Sequence, residues 1–531
     1  MSVRSAGEPS RLIPRSRWMR WSVTALSLAL LTIVLEPAVA LAHAMLKSSS
    51  PAAGARLDAA PRFIRLMFTE MPDLTFTRVE LHDARGGTVA LDTVGFAPDS
   101  KRAVLVGIRG QLDAGVYTVI WQTAGDDGHP TRGRFSFTIT AGASGTGGAT
   151  TGGDAAAGMT AHGQVAPPHA HHAGAPMPDE NSFGAESLAY VAIRWLQFAA
   201  LLIVVGAVVF RVVVLGFMAR VAAPRLSLIG DAAAATARLG MAGVAVLGVA
   251  AALRLGAQSY AMHGASNAWN GHLIGSMLRR TVWGWAWLLQ VGGIAVALAG
   301  FAKARRAPEV TVLGSWRLAL LGAAVLVVTP ALSGHAVSAP RLTALAVLAD
   351  AVHVLGASGW LGSLLFVIAV GIPAALRLEP DERGLAVADL VNAFSPTALV
   401  FAGATAATGL FAAWLHLGSV SALWQSAYGQ TLLVKLAALS VVAATGAYNW
   451  LRVRPALGSI EGARRVRRSA AVEIVVGVLV LAATAVLVAT RTPLDEAAMH
   501  EAVAATPACP AASAATRCPA PAPPSSSRPS I

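Results

Sequence analysis

The chain has 531 residues, of which 55% are hydrophobic and only 13% are charged. Soluble domains carry roughly 25% charged residues, so this composition excludes an ordinary soluble protein. Several apolar runs reach the ~20 residues that cross a bilayer core, which indicates a multi-pass protein in a lipid bilayer. The net charge of +13 does not indicate a nucleic-acid partner, because the basic residues lie between apolar runs rather than in one patch.

Residues 1–42 have the pattern of an export signal. Five arginines precede the apolar stretch 21–35, and a small-residue cleavage motif ends at Ala42. We therefore predict that this segment is removed, with an uncleaved anchor helix as the alternative. Cleavage makes His43 the mature N-terminus, where the free amine and the imidazole can chelate one ion. Nitrogen-rich, roughly square-planar sites of this kind suit Cu(II).

Residues 43–140 are predicted to form an all-β domain. Short runs rich in β-branched and aromatic residues alternate with turn signals, which is typical of a Greek-key sandwich or barrel of the immunoglobulin type. The runs lie at 63–68, 76–81, 88–91, 103–108, 116–121 and 135–139.

Two candidate metal ligands stand between the last two of these runs. Asp127 and His129 are two residues apart, so in an extended chain both side chains point to one side. With the terminal His43 they form a candidate Cu(II) site. The alternative is that both are ordinary solvated loop residues.

Two segments lack the large apolar residues that a core requires. Residues 141–186 are rich in Gly, Ala, Thr and Pro and are predicted to be a flexible tether. The histidines of this segment either bind metal ions weakly or are polar linker residues with no metal role. Residues 491–531, rich in Ala, Pro and Ser, are predicted to be disordered. They contain the two cysteines of the chain, Cys509 and Cys518, which can pair in an oxidising compartment.

Residues 187–490 are predicted to form an all-α bundle of eight transmembrane helices. The apolar runs lie near 187–217, 233–255, 282–302, 315–333, 343–372, 393–416, 430–451 and 470–490. If the β-domain is outside, the odd-numbered connections after the first run are cytoplasmic, and these carry most of the arginines and lysines. The pattern predicts a bacterial inner-membrane protein with its N-terminal domain and C-terminal tail in the periplasm.

The polar, metal-capable groups of this bundle gather in its predicted periplasmic half. His353 lies about ten residues into the fifth run, about 15 Å deep, and Asp350 shares its helix face one turn earlier. A carboxylate so placed can orient a ligating imidazole. His335 and His416 lie at the outer ends of the fourth and sixth runs, and His263 falls in the second periplasmic loop. Ionisable residues inside a membrane are functional candidates, so these five residues are candidates for a transport path, with ordinary loop or packing roles as the alternative.

The motifs of residues 43–140 resemble those of the copper-resistance protein C family. The resemblance rests on the segments 43–46, 50–54, 60–61, 66–70 and 127–130. It implies a periplasmic domain in which His43, Asp127 and His129 hold Cu(II).

Residues 190–490 look like the copper-resistance protein D family. The matching segments are 333–336, 353–362, 428–435 and Asn449. The resemblance implies copper transport across the inner membrane, and it assigns His335 and His353 to the path. The chain then looks like a fusion of two copper-homeostasis proteins, a non-enzymatic copper importer for which other periplasmic copper carriers are candidate partners.

Two other functions fit the same histidines. A haem-binding membrane oxidoreductase would use His353 with His416 or His335 as haem ligands. A copper-sequestering or sensing protein would bind copper without moving it across the membrane. No nucleotide-binding motif of the G-x-x-x-x-G-K-[ST] type and no D-K-T-G motif is present, which argues against transport driven by this chain's own ATP hydrolysis.

Overall fold

The computed structural model describes residues 44–125, 130–140, 187–221, 226–306, 314, 316–334, 336, 342–453, 460–490 and 492–494. The predicted export signal, the linker and most of the tail lie outside these residues. So do four predicted site residues, namely His43, Asp127, His129 and His335.

The N-terminal domain is a sandwich of two sheets, as the sequence predicts. The strands are β1 (Leu46–Ser50), β2 (Arg56–Leu57), β3 (Phe63–Phe68), β4 (Arg78–His82), β5 (Thr88–Val89), β6 (Gly95–Ala97), β7 (Ser100–Gly107), β8 (Gly115–Ala124) and β9 (Pro130–Ile139). One sheet has the order β1-β3-β7-β6 and the other β2-β9-β8-β4-β5. The named strand pairs are antiparallel except β2 with β9, which is parallel.

The core of the sandwich follows from alternation along the strands. In β3, Ile64, Leu66 and Phe68 are buried while the residues between them are partly exposed. The Trp121 ring packs edge-on against Phe68, with ring centroids 5.4 Å apart. Gly133 is paired with Trp121 across β8 and β9, and a Cβ there would lie only 2.5 Å from the indole ring, so this position has no room for a side chain.

The C-terminal part is a helical bundle. Its helices are α1 (Leu188–Arg220), α2 (Leu226–His263), α3 (Gly271–Arg280), α4 (Val282–Arg306), α5 (Arg317–Leu332), α6 (Thr343–Ala375), α7 (Pro380–Leu417), α8 (Ala422–Gln425), α9 (Ala427–Tyr448) and α10 (Ile460–Ala489). Single π-helical turns interrupt α1 at Phe210–Val214 and α6 at Ser358–Gly362 and Val367–Gly371. Such turns do not end a helix, so α1 and α6 are each one continuous helix.

Each of the eight apolar runs predicted from the sequence coincides with one helix. Seven of these helices are long and apolar enough to cross a membrane. The eighth, α5, has 16 residues and is therefore about 24 Å long, shorter than a typical bilayer core. The short helices α3 and α8 were not predicted, and they lie in connections between the long helices.

Small residues set the spacing of the helices. A Cβ on Gly322 of α5 would lie 2.5 Å from the backbone of Ala297 in α4, and Gly300 in α4 similarly faces Ala319 in α5. These contacts make α4 and α5 antiparallel neighbours. Gly206 of α1 meets Gly362 of α6 in the same way. Close backbone approach at small residues is a common basis of helix association in membranes.

The β-domain rests on the end of the bundle at which α2 finishes. Its Gln122 side chain donates a hydrogen bond of 2.7 Å to the carbonyl of Met262. We call this end of the bundle the docked end. Leu494, after α10, contacts Gly418, after α7, so the chain leaves the bundle at the same end. Four strongly exposed tryptophans also lie in or beside connections at this end: Trp269, Trp285, Trp414 and Trp424.

Candidate functional site

One edge of the β-domain brings together the chain segments that flank the predicted Cu(II) ligands. Ala44, which follows His43, accepts a hydrogen bond of 2.7 Å from the Thr131 hydroxyl. Its backbone nitrogen also lies beside Gly125. Gly125 precedes residues 126–129, and Thr131 closely follows them. The neighbours of all three predicted ligands therefore meet at this edge.

Glu70 is a further acid at this edge, and sequence pattern alone does not select it as a ligand. Its carboxylate lies against Gly125, close to the nitrogen of Ala44. The end of β3 is held there by two bonds between Met45 and Thr69, of 3.0 and 2.8 Å. Glu70 lies two residues after a buried strand. This position places it at the edge beside Ala44 only once β1 is known to pair with β3.

The same edge faces the membrane bundle. The Arg132 guanidinium donates a hydrogen bond to the carbonyl of Ala261, and burial at this contact lowers the pKa of Arg132. Ala124 and Phe76 of the β-domain pack in one apolar cluster with Met262, Met277 and Trp283 of the bundle. Ala124 and Arg132, which flank residues 126–129 in the sequence, therefore both contact the docked end.

His263 lies inside this interface. The prediction that it belongs to a loop is wrong, since it is the last residue of α2 and is only 1% exposed. Its ring lies 5.5 Å from that of Phe76, measured between centroids. Among the described residues its Nε2 atom has no hydrogen-bond partner. Docking of the β-domain buries this residue, and contacts so distant in sequence cannot be predicted from local pattern.

His353 lies ten residues into α6, half-buried against α7. Its Nδ1 atom lies 3.0 Å from the hydroxyl of Thr408. That hydroxyl donates its one hydrogen to the carbonyl of Ala404 at 2.7 Å, so it accepts from the ring. In that arrangement the imidazole carries its hydrogen on Nδ1, and the lone pair of Nε2 faces no competing proton. The ring fits there because Gly409 has no side chain; a Cβ would lie 3.2 Å from Cε1.

Charged groups from two helices surround this imidazole. Asp350 lies one turn earlier on α6, as predicted, and it interacts electrostatically with Lys435 of α9. Lys435 also acts on His353, and Asp350 acts on the phenol of Tyr428. Thr408, rather than Asp350, holds Nδ1 of His353. The Asp350 carboxylate instead balances the charge of Lys435 beside the ring. This arrangement requires α6, α7 and α9 to meet.

The remaining candidates are more scattered. His416 lies one residue before the end of α7 and is half-buried. In the described part of the chain, no three His, Cys, Asp or Glu residues are close enough to hold a metal ion together.

Near the opposite end of the bundle, Asn449 donates a 2.6 Å hydrogen bond to Glu473, a buried carboxylate of α10.

These features define a class of protein: a β-sandwich docked on a multi-pass helical membrane domain. The CopC domain family matches residues 46–140. The family "Copper resistance protein D-like, N-terminal domain" matches residues 182–340, and "Copper resistance protein D" matches residues 388–487. The chain therefore belongs to the copper resistance families C and D, with a CopC domain joined to a CopD membrane region. The two families that match the membrane region are described by copper resistance.

Two similar proteins match this chain over very different lengths. The copper transport protein CutJ of Bacillus subtilis is 25% identical over 485 residues, which cover 91% of this chain and 79% of CutJ. Protein YobA of Escherichia coli K12 is 30% identical over 113 residues, covering 21% of this chain and 91% of YobA. The first similarity spans both domains, whereas the second corresponds to the β-domain.

Solved structures similar to the chain correspond to its β-domain. PcoC, a methionine-rich copper resistance protein from Escherichia coli, is 33% identical; the match covers 19% of this chain and all of PcoC, with a TM-score of 0.17. CopC from Methylosinus trichosporium OB3b is 24% identical and covers 18% of this chain and 93% of that protein, with a TM-score of 0.17.

Proposed function

We propose that this chain imports copper by capture and handover. The mature β-domain, residues 43–140, binds Cu(II) through His43, Asp127 and His129. The ion then passes to the membrane domain, residues 187–490, and crosses toward the cytoplasm. The observation that carries this proposal is the position of the edge formed by Ala44, Gly125 and Thr131, which lies beside the docked end of the bundle.

The proposed path begins at the interface between the two domains. His263 is the first histidine of the bundle beyond the β-domain, and its Nε2 atom is available. His335 follows the end of α5, and His416 lies near the end of α7. His353 is the deepest histidine of the proposed path. Thr408 orients its ring, and Asp350 offsets the charge of Lys435. An available imidazole nitrogen is a suitable ligand for copper.

Orientation follows from charge. The connections at the end opposite the β-domain carry most arginines and lysines, such as Arg305, Arg306 and Arg377. By the positive-inside rule that end is cytoplasmic, so the β-domain and the tail are periplasmic. The linker 141–186 then connects two domains that already touch, and it limits how far the β-domain can separate from the bundle.

Copper uptake into proteoliposomes tests the proposal. Vesicles containing the full mature chain should accumulate copper, and the same chain without residues 43–140 should do so only at higher external copper. His129→Ala should resemble the truncated chain. His82→Ala is the matched control, because His82 is a partly exposed histidine of β4 that is not one of the proposed ligands. Absence of flux, with Cu(II) still bound, would favour sequestration or sensing. A Soret absorption band in the purified protein would favour the haem oxidoreductase.

The Cu(II) site also requires that the mature chain begin at His43. N-terminal sequencing of protein purified from membranes should give His-Ala-Met-Leu. A start at Met1, or at any other residue, would remove the amine that the proposed chelate uses.

A further inference from the structure

Two buried arginines lie near each other at the docked end of the bundle. Arg194 of α1 is 8% exposed and Arg254 of α2 is 5% exposed. They are near enough for the charge of one to act on the other. Two like charges removed from water are strongly destabilising unless an opposite charge compensates them.

The groups around the two arginines are polar or aromatic but not acidic. Arg194 stacks on the ring of Tyr190 at 4.5 Å, and Arg254 lies 5.4 Å from the ring of Trp283. The Tyr190 hydroxyl donates to Gln258 at 2.8 Å. In the described parts of the chain, the ion pairs join surface residues of the β-domain, and neither arginine is paired with a carboxylate.

Several hydrogen-bonding atoms here are buried and unsatisfied. Among the described residues, Arg194 Nη1 and Arg254 Nε have no hydrogen-bond partner. Stacking on Tyr190 and Trp283 covers the faces of the guanidinium groups but uses no N–H donor. Arg254 also donates through Nη2 to the carbonyl of Ser333 at 3.3 Å and has a side-chain hydrogen bond with Tyr190, so Arg254 Nε and Arg194 Nη1 are the donors without a partner. The amide of Gln197, one turn beyond Arg194 and 2% exposed, also has an oxygen without a partner. The Gln197 oxygen is an acceptor, whereas the two arginine nitrogens are donors, and buried donors are expected to be satisfied.

We propose that Arg194 and Arg254 bind a small monovalent anion between α1 and α2. The two guanidinium edges supply charge-assisted donors, and Tyr190 and Gln258 line the site. The bound anion compensates the positive charge at the docked end, where copper arrives. This site uses none of the path histidines, but it lies near one of them in the sequence, because Arg254 donates to the carbonyl of Ser333, two residues before His335.

Chloride is the probe for the test, with the full chain purified in detergent. Thermal unfolding followed by tryptophan fluorescence is measured in sodium chloride and in sodium gluconate at equal ionic strength. The unfolding midpoint should rise saturably with chloride only. Arg194→Gln and Arg254→Gln should each lose this rise. Arg211→Gln should keep it, because Arg211 is also buried with unpartnered atoms but lies beside Trp316, elsewhere in the bundle.

A direct measurement keeps the proposal testable if a variant does not fold. Wild-type protein should bind one radiolabelled chloride per chain, displaced by bromide and not by gluconate. Absence of saturable binding would overturn the proposal. So would a lower unfolding midpoint in Glu180→Gln or Glu186→Gln together with no effect of chloride, because a carboxylate from the segment before α1 would then be the counter-ion.

Discussion

At the scale of single residues, His353 shows how one hydrogen bond can set which ring nitrogen is open. The Thr408 hydroxyl can accept from the ring because it already donates to Ala404. The hydrogen is therefore held on Nδ1, and Nε2 can bind an ion without first losing a proton. An outer group that fixes the tautomer of a histidine ligand typically raises its affinity for metal.

We expect His353→Ala to abolish copper movement through the membrane domain while Cu(II) capture by the β-domain is unchanged. No second imidazole in the described residues of α6 can replace it. Asp350→Asn should weaken transport less, because the ring keeps its bond to Thr408. Cellular copper accumulation at equal membrane expression is the measurement. Wild-type accumulation by His353→Ala would show that the residue only packs against α7.

The role of Thr408 can be separated from that of the ring. Thr408→Val removes the acceptor for Nδ1–H and should lower copper flux by about 10- to 100-fold. Thr408→Ser keeps the hydroxyl and should retain most of the flux. If valine and serine behave alike, the tautomer is set by another group and the proposed role of Thr408 is wrong.

Copper capture should depend on pH. Histidine ligands must be deprotonated to bind, and the ordinary histidine pKa is ~6.5, so protons compete with Cu(II) below that pH. Affinity should therefore be full above about pH 7 and should fall as the pH is lowered. Isothermal titration of the β-domain within the full chain, for wild type and His129→Ala, measures it. Equal affinity in both proteins would contradict the site.

Sequence spacing predicts the position of His353 and its shared face with Asp350, because residues three apart on a helix are neighbours. It does not predict Thr408, which is 55 residues away and meets the ring only through packing of α7 on α6. Glu70 and the burial of His263 escape prediction for the same reason. The ligand set of the β-domain stays a prediction, since its residues lie outside the described part of the chain.

At the scale of elements, glycine contacts distinguish packed helix faces from faces open to lipid. On α4, Gly300 lies against the backbone of α5, whereas no atom lies within 4 Å of the corresponding position at Gly292. The two glycines share a helix and an amino-acid type but differ in surroundings. They therefore offer a matched pair for measuring what close approach contributes.

We expect Gly300→Ala to destabilise the bundle by about 1–3 kcal/mol, because the added methyl group overlaps Ala319 and the helices must separate. Gly292→Ala should be neutral or slightly stabilising, since alanine favours the helix. Thermal unfolding in detergent compares the two variants with wild type. Similar midpoints for both variants would mean that α4 and α5 pack less closely than described.

Elements with a strong periodic signal were predictable, and weak ones were not. Six apolar runs in the β-domain correspond to β3, β4, β5, β7, β8 and β9. β1 was missed because Leu-Lys-Ser-Ser-Ser has no apolar alternation, and β2 and β6 have only two or three residues. The helix α3 was missed because it has only ten residues, and Gly, His, Ser and Arg interrupt its few apolar side chains.

At the scale of the whole molecule, the two domains touch directly. The sequence predicts a tether that keeps them near each other, but it contains no local signal for the surface on which the β-domain rests. That surface combines two hydrogen bonds to the last turn of α2 with an apolar cluster around Phe76 and Trp283. Docking places the edge formed by Ala44, Gly125 and Thr131 next to the bundle.

Loosening this interface should separate capture from transport. Phe76→Ala combined with Gln122→Ala should leave Cu(II) affinity unchanged but lower copper uptake when external copper is limiting. Uptake at saturating copper should change less, because free ions then reach the bundle without the β-domain. Phe63→Ala with Val116→Ala, both exposed in wild type, is the control. Uptake unaffected at every copper concentration would show that docking has no part in transfer.

The exposed tryptophans at the docked end have a consequence for how the molecule sits in its membrane. Trp269 and Trp285 are 80% and 61% exposed, and Trp414 and Trp424 are 67% and 58% exposed. Indole rings concentrate at the level of the lipid headgroups, where an apolar ring and a polar N–H are both accommodated. Four such anchors fix the depth of that end of the bundle. The β-domain, which rests on that end, then lies directly above the headgroup layer, close to the phosphates of the bilayer surface.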